Sequence, residues 1–239
     1  MNSKEEFIQK LEWNNNITNI EQKEVLAKKI ASKVKNGDVI SFGSGTTSFL
    51  AVKEIGKKCE KENLNIIAIP TSKPIELLCN HLNIKTANLG EYEINWGFDG
   101  ADEVDTNKRL IKGLGGALYK EKKNIKQTPI VYILVDETKL VEKLGKNCVV
   151  PVECDIEKVE YVKKELQKLG AINSNIRKQK DSNGNITTEN LITENGKLIL
   201  DVKFDNIDNN LEKNINNIDG VLDNGLFIGY ENIEIITAD

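Results

Sequence analysis

The sequence predicts an α/β protein, a mostly parallel sheet flanked by helices with a smaller α+β module set into it. Three observations carry that expectation. Apolar runs of strand length alternate with segments of helical period through the first half of the chain. The first of these runs opens into a glycine-rich loop that leads into a helix. After Cys148 the texture changes to short strands separated by Asn-Gly turns.

Along the chain, Val25, Leu26, Ile30 and Val34 recur at helical spacing, and Asn36-Gly37-Asp38 ends that helix with a residue suited to positive φ. Residues 39–42 (VISF) supply a strand that runs into Gly43-Ser44-Gly45-Thr46-Thr47, after which Leu50, Ile55 and Cys59 mark a helix. Residues 66–69 form the next strand, closed by Pro70, and Pro74 suits the first turn of a helix through Leu77 and Leu78. A strand is expected at 94–98, then a polar segment from Asp99, a helix around 118–123 and a strand at 130–135 ended by Asp136. Next come a strand at 148–152, an amphipathic helix through Val159, Val162, Leu166 and Leu169, and short strands broken at Asn183-Gly184-Asn185 and Asn195-Gly196. The apolar tail segments at 226–228 and 233–236 are expected to rejoin the first sheet. The domains expected are thus 1–146 plus 218–239, with an insertion at 147–217 acting as a lid or oligomerisation module.

Of 239 residues, 39% are hydrophobic and 29% charged, enough for a globular protein with a substantial core. Lys and Arg number 33 against 37 Asp and Glu, a net charge of −4, so there is no electrostatic reason to expect nucleic acid or an anionic membrane as partner. Any anion must be caught locally. Apolar runs fall far short of the roughly 20 residues that cross a bilayer. The start, with Lys4, Glu5 and Glu6, lacks an apolar signal core, which points to the cytoplasm. Cys59, Cys79, Cys148 and Cys154 form no CxxC pair and read as reduced, mostly buried thiols. The one histidine, His81, sits near a helix end and reads as a partner for the last carbonyls, so designs needing a His dyad are excluded. Trp13, Trp96 and the other scattered aromatics read as core.

Three segments carry chemistry. In Gly43–Thr47, glycines allow close backbone approach, and Ser44, Thr46 and Thr47 add hydroxyls beside the amides of a helix N-terminus, a combination suited to phosphate. The loop lacks the Walker A lysine and is not GxGxxG, and no acidic ribose-binding residue ends the 66–69 strand, which counts against a nicotinamide dehydrogenase. In Asp99-Gly100-Ala101-Asp102-Glu103, three acids crowd the carboxyl end of a parallel strand, where one carboxyl can be kept ready to exchange a proton. With Asp105 they could also hold Mg²⁺, but the nearby Lys112 opposes a cation. In Lys112-Gly113-Leu114-Gly115-Gly116-Ala117, a cation and a flexible backbone precede a helix that places Glu121 on the face of Leu118. Lys120, Lys122 and Lys123 are expected on its solvated face.

These stretches, DGADEVD followed by LIKGLGGALYKEK, with VDETK, PVE and GVLDNGLF in the same order, resemble the type A ribose-5-phosphate isomerase family from the first helix to the C-terminus. The chain departs at Leu114, where the family commonly has a further glycine, and in reading GSGTT rather than GTGST. The resemblance implies a Rossmann-like fold, a homo-oligomer (dimer or tetramer) and interconversion of D-ribose 5-phosphate and D-ribulose 5-phosphate in the non-oxidative pentose phosphate pathway, without metal or organic cofactor. By matching, Glu121 is the base that shuttles a proton through an enediolate, and Asp99 acts in opening the furanose ring. Asp102 is the acidic neighbour, and Lys112 with Gly113 and Gly115 holds the sugar oxygens. Ser44, Gly45, Thr46 and Thr47 take the phosphate, and Lys139 is the remaining ligand-contacting lysine. Gly100, Ala101 and Leu114 complete the substrate-binding set. A sugar-phosphate sensor would share the phosphate loop and the sheet without needing Glu121.

Overall fold

The computed structural model describes residues 17–181 and 184–239. The segment expected to lack a signal core, Trp13 and the Asn183 turn position lie outside the described residues. The described chain divides into two compact units, one built from residues up to Gly100 with Lys120–Thr138 and Glu231–Asp239, the other from Ala101–Tyr119 and Lys139–Tyr230.

In the first unit, helix α1 (Ile20–Lys33) buries Lys23, Leu26, Ala27, Ile30 and Ala31 as one stripe at helical spacing. Strand β1 (Val39–Phe42) is followed by α2 (Gly45–Glu62), β2 (Ile67–Pro70), α3 (Lys73–His81) and β3 (Lys85–Thr86). His81 is the last residue of α3 and is exposed. Strand β4 (Trp96–Gly100), helix α4 (Leu118–Gln127), β7 (Val131–Leu134) and β16 (Ile233–Ile236) complete the set. Among the described residues these six strands form one sheet in the order β16-β7-β4-β1-β2-β3, and every pairing in it is parallel. Chain order therefore reverses direction between β1 and β4. In open α/β sheets that switch point, at the carboxyl ends of the strands, is where ligands bind. Phe42 and Phe98 are register partners across it, both buried, with ring centroids 5.0 Å apart. Each such burial contributes roughly 1.5–3 kcal/mol, so the two strands that carry the loops are held together by the core itself.

The second unit contains a sheet β10 (Ala171–Ile176), β13 (Leu198–Phe204), β9 (Val150–Cys154), β14 (Val221–Asn224), whose core takes in Val162 and Leu166 of helix α5 (Val159–Lys168) and Leu211 and Ile215 of α6 (Leu211–Asn216). A hairpin pairs β11 (Lys178–Lys180) with β12 (Ile186–Asn190). A further sheet joins β15 (Leu226–Phe227), β6 (Leu110–Ile111), β5 (Glu103–Asp105) and β8 (Leu140–Val141). This unit is broader than the 147–217 expected from the sequence because β5, β6, β8 and β15 pair with one another. Strands of two or three residues leave no periodic trace.

Two expectations are corrected. Of the tail segments, Ile233–Ile236 joins the parallel sheet, but Leu226–Phe227 pairs antiparallel with β6. The preceding Gly225 is tied by its amide to the Pro151 carbonyl (2.7 Å) and by its carbonyl to the Lys112 amide (2.9 Å), which keeps that stretch in the second unit. Lys122 is fully buried, unlike the exposed Lys120 and Lys123. It falls on the stripe of Leu118, Glu121 and Ile125, where an aliphatic stem packs as well as a leucine does.

Candidate active site

At the carboxyl end of β1, Gly43 has no room for a side chain. A Cβ there would lie 2.5 Å from the Cα of Asp99 on the adjacent strand and closer still to its carboxylate. This approach lets the Ser44 amide donate to Asp99 Oδ1 at 3.1 Å, and the Gly100 amide donates to the same oxygen at 2.8 Å. Asp99 is 2% exposed, so two backbone donors fix a carboxylate in the interior at the switch point. Helix α2 begins directly after, with no acidic residue in its first turn, and its amino end favours an anion. Ser44 and Thr71 share a hydroxyl hydrogen bond of 2.7 Å, and Thr46 accepts from Lys23 Nζ at 3.2 Å. Thr47 is half-buried in the same turn and Gly45 is exposed.

Lys23 was not singled out from the sequence. Its signal is a lysine on the apolar stripe of α1, three and four residues before Leu26 and Ala27, and the structure buries it to 4% exposure beside the hydroxyl loop. Asp136 faces it at 3.9 Å. Burial works against the Asp136 carboxylate, but the Thr138 and Asn19 hydrogen bonds and the Lys23 charge outweigh it and hold the group below the usual carboxylate range.

Glu121 is buried on α4. The helix is anchored three residues on, where Asn124 donates to Ser41 Oγ at 3.1 Å and to the Ile69 carbonyl at 3.2 Å. Gly97 makes that approach possible, since a Cβ there would sit 2.8 Å from Ser41 Cβ and 3.2 Å from Thr128 Cγ2. Asn124 was also missed by sequence reasoning, although a polar residue beside an apolar stripe marks such an anchor.

In the second unit, Asp102 Oδ2 accepts the Leu114 amide at 3.1 Å. Burial raises the Asp102 carboxyl above its ordinary range, against the pull of that amide and of the Lys112, Lys139 and Arg177 charges. The Lys139 charge acts on Asp102, and Lys139 is half-buried at the end of a short 3₁₀ turn. Lys112 is 3% exposed, with Nζ 5.9 Å from the Phe227 ring centroid. A Cβ on Gly225 would stand 2.6 Å from Pro151 Cδ and closer to the Lys112 carbonyl, which explains why the PVE and GVLDNGLF stretches accompany this lysine. Gly113 has φ 95° and would meet Leu118 Cβ at 2.6 Å, so both conformation and space require glycine. Leu114 adopts no positive φ, and its side chain is 41% exposed. The departure from glycine is accommodated without strain. Ala101 is half-buried and Gly115 exposed.

Two acids of the DGADEVD run are taken up by contacts within the protein. Glu103 is buried and accepts the amides of Gly145 at 2.6 Å and Cys148 at 2.8 Å, and Asp105 pairs with Arg109 at 2.7 Å. Both are spent on the fold. Among the described residues no three His, Cys, Asp or Glu side chains are grouped to hold a metal ion.

The model of the family described as ribose 5-phosphate isomerase A (phosphoriboisomerase A) matches residues 67–239. The chain belongs to the ribose 5-phosphate isomerase A family. Ribose-5-phosphate isomerase A of Synechococcus sp. is 40% identical over 218 residues, covering 90% of this chain and 91% of that protein. The structure of ribose 5-phosphate isomerase A from Methanocaldococcus jannaschii superposes with a TM-score of 0.84 at 38% identity, over 91% of this chain and 95% of that one. A D-ribose-5-phosphate isomerase in complex with phospho-erythronic acid matches equally well, with a TM-score of 0.84 at 32% identity over 92% and 95% of the two chains. The α/β fold with its parallel sheet is thus that of the ribose 5-phosphate isomerase A family, and no helix among the described residues is long and apolar enough to cross a membrane.

Proposed function

We propose that this chain interconverts D-ribose 5-phosphate and D-ribulose 5-phosphate, the reaction of the non-oxidative pentose phosphate pathway. The observation that carries the reading is Asp99, a buried carboxylate fixed by the Ser44 and Gly100 amides beside a hydroxyl-bearing helix N-terminus at the switch point. It supplies a proton-handling group next to a phosphate cradle. That a related isomerase was solved with phospho-erythronic acid, a sugar-acid phosphate, supports the substrate class.

In this reading Ser44, Gly45, Thr46 and Thr47, with Lys23 behind them, take the phosphate. Asp99 moves a proton between the ring oxygen and the anomeric hydroxyl, which opens the furanose. Glu121 then removes the C2 proton of the aldose, and the electron pair forms the C1–C2 double bond of an enediolate as the carbonyl oxygen gains charge. The O2 hydroxyl proton passes to O1, which leaves the charge on O2, and return of the carbon-bound proton from Glu121 to C1 as O2 collapses to a carbonyl gives the ketose. Lys112, with the amides of Gly113 and Gly115, stabilises the enediolate oxygens. Asp102, Gly100, Ala101, Leu114 and Lys139 complete the sugar contacts. In this reading the enzyme works in the cytoplasm. Ile156, Tyr161, Ile172 and Ile192 leave apolar surface exposed on the second unit, which a second copy would cover. Light scattering of the purified chain tests that assembly.

A coupled assay on ribose 5-phosphate tests the function. Turnover is expected; a folded protein that binds the sugar phosphate without converting it would instead be a sensor.

A further inference from the structure

The loop after Lys112 carries two glycines at positive φ, Gly113 (95°) and Gly116 (88°), and closes on itself with the Gly116 amide on the Gly113 carbonyl at 3.0 Å. Glycine populates either sign of φ with similar ease, so such a loop does not by itself fix which way its peptide planes face. Arg177, between β10 and β11, meets those planes. Its own backbone is pinned, its N–H donating to the Ile199 carbonyl at 2.8 Å and its carbonyl accepting the Leu191 amide at 2.9 Å. Its guanidinium is braced by Asp201 on β13, with Nε 3.1 and 3.0 Å from the two carboxylate oxygens and Nη2 donating to Oδ1. Nη1 remains, and it donates to the carbonyls of Gly113 at 2.8 Å and Leu114 at 3.0 Å. The side chain is 11% exposed.

A trans peptide is planar, with its C=O and N–H pointing in opposite directions. Holding the Gly113 carbonyl on Arg177 therefore turns the Leu114 N–H away from the guanidinium, to Asp102 Oδ2 at 3.1 Å. Holding the Leu114 carbonyl in the same way turns the Gly115 N–H away as well, and that amide has no protein acceptor among the described residues. We propose that Arg177, braced by Asp201, is a positioning residue that fixes these two peptide planes so that the Gly115 amide is presented to a substrate oxygen. The Leu114 amide meanwhile orients Asp102. A positive charge on the carbonyl side also polarises both peptides and strengthens their N–H groups as donors. Lysine cannot substitute, because one ammonium on a flexible stem cannot grip a carboxylate side-on and two carbonyls at once.

The inference rests on the isomerase reading above, and the experiment separates the two. The full chain is assayed on ribose 5-phosphate as parent, Arg177→Ala and Arg177→Lys, with circular dichroism to establish folding. Both variants are expected to lose roughly 10- to 100-fold in kcat while KM moves less than about threefold. Guanidinium at millimolar concentration should restore part of the Arg177→Ala rate and none of the Arg177→Lys rate, whose stem fills the space. A folded Arg177→Lys with kcat within about twofold of the parent overturns the proposal. So does an Arg177→Ala loss that guanidinium leaves untouched while KM rises in step. If Arg177→Ala does not fold, Arg177→Lys and Asp201→Asn carry the kinetic test with the same criterion. If the parent itself shows no turnover, the isomerase reading fails, and hydrogen exchange still decides the clamp. The Leu114 amide should exchange slowly in the parent and faster in Arg177→Lys, and equal rates refute the clamp.

Discussion

Gly43→Ala tests whether the approach of β1 to β4 is what sets Asp99 in place. The position is not at positive φ, so an alanine there has no conformational penalty, and its cost is wholly steric. The added methyl would stand 2.5 Å from the Asp99 Cα, a backbone atom in a paired parallel strand, and cannot be relieved by turning a side chain. Overpacking of this kind costs about 1–3 kcal/mol, and a rigid neighbour places it at the upper end, about 3 kcal/mol. For a chain of this size that corresponds to a fall of roughly 6–12 °C in thermal midpoint. Because the relief must push Asp99 away from the Ser44 amide, kcat on ribose 5-phosphate should fall along with stability. Gly45→Ala is the control. Its φ is 85° with nothing within 4 Å of the added methyl, so it carries the dihedral cost of about 1–2 kcal/mol without a clash. Thermal unfolding and steady-state kinetics on both variants discriminate. A Gly43→Ala protein that melts within about 2 °C of the parent and turns over normally would refute the reasoning.

Three further outcomes are expected. Glu121→Gln keeps the shape of the buried side chain and removes the base, so kcat should fall by about 10²- to 10⁴-fold with binding of a sugar-phosphate inhibitor nearly unchanged; comparable turnover would remove Glu121 from the mechanism. Lys23→Met keeps the stem on the α1 stripe and deletes the charge beside Thr46, so KM for the phosphorylated sugar should rise by roughly tenfold or more in a folded protein; an unaltered KM would detach Lys23 from the phosphate. Burial holds the Asp102 carboxyl above its ordinary range, so the folded state keeps a proton that the unfolded chain has already released. Stability contributed at this site should therefore decline as pH rises from about 4 through the raised folded value and then level off. Asp102→Asn should flatten that decline in urea titrations across the window, and parallel curves for variant and parent would show that another group is responsible.

Much of the site can be read along the chain because its chemistry is local. Ser44 to Thr47 lie on one strand-to-helix turn, Asp99 to Asp102 on one strand end, and Lys112 to Gly115 on one loop, so residue types and spacing mark them as candidates and the family resemblance supplies their proposed roles. What is carried by contacts distant in sequence is less visible. Lys23 is 23 residues from Thr46, Arg177 is 64 from Gly113, and Asn124 is 83 from Ser41. Lys122 misled for a related reason: a charge usually marks the solvated face of a helix, and only packing reveals a lysine stem inside.

The sequence by itself determined the alternation of strand and helix, the parallel sheet that follows from it, and the identity of the groups able to move a proton or hold a phosphate. Local periodicity and turn chemistry suffice for these, since each is set within a few residues. Only the tertiary structure decided which acids are taken up by the fold. Glu103 and Asp105 are consumed by the amides of Gly145 and Cys148 and by Arg109, while Asp99 and Asp102 are aimed by the amides of Ser44 and Leu114. A carboxylate's role depends on which donors reach it in space, and four acids within seven residues look alike until the chain has folded around them.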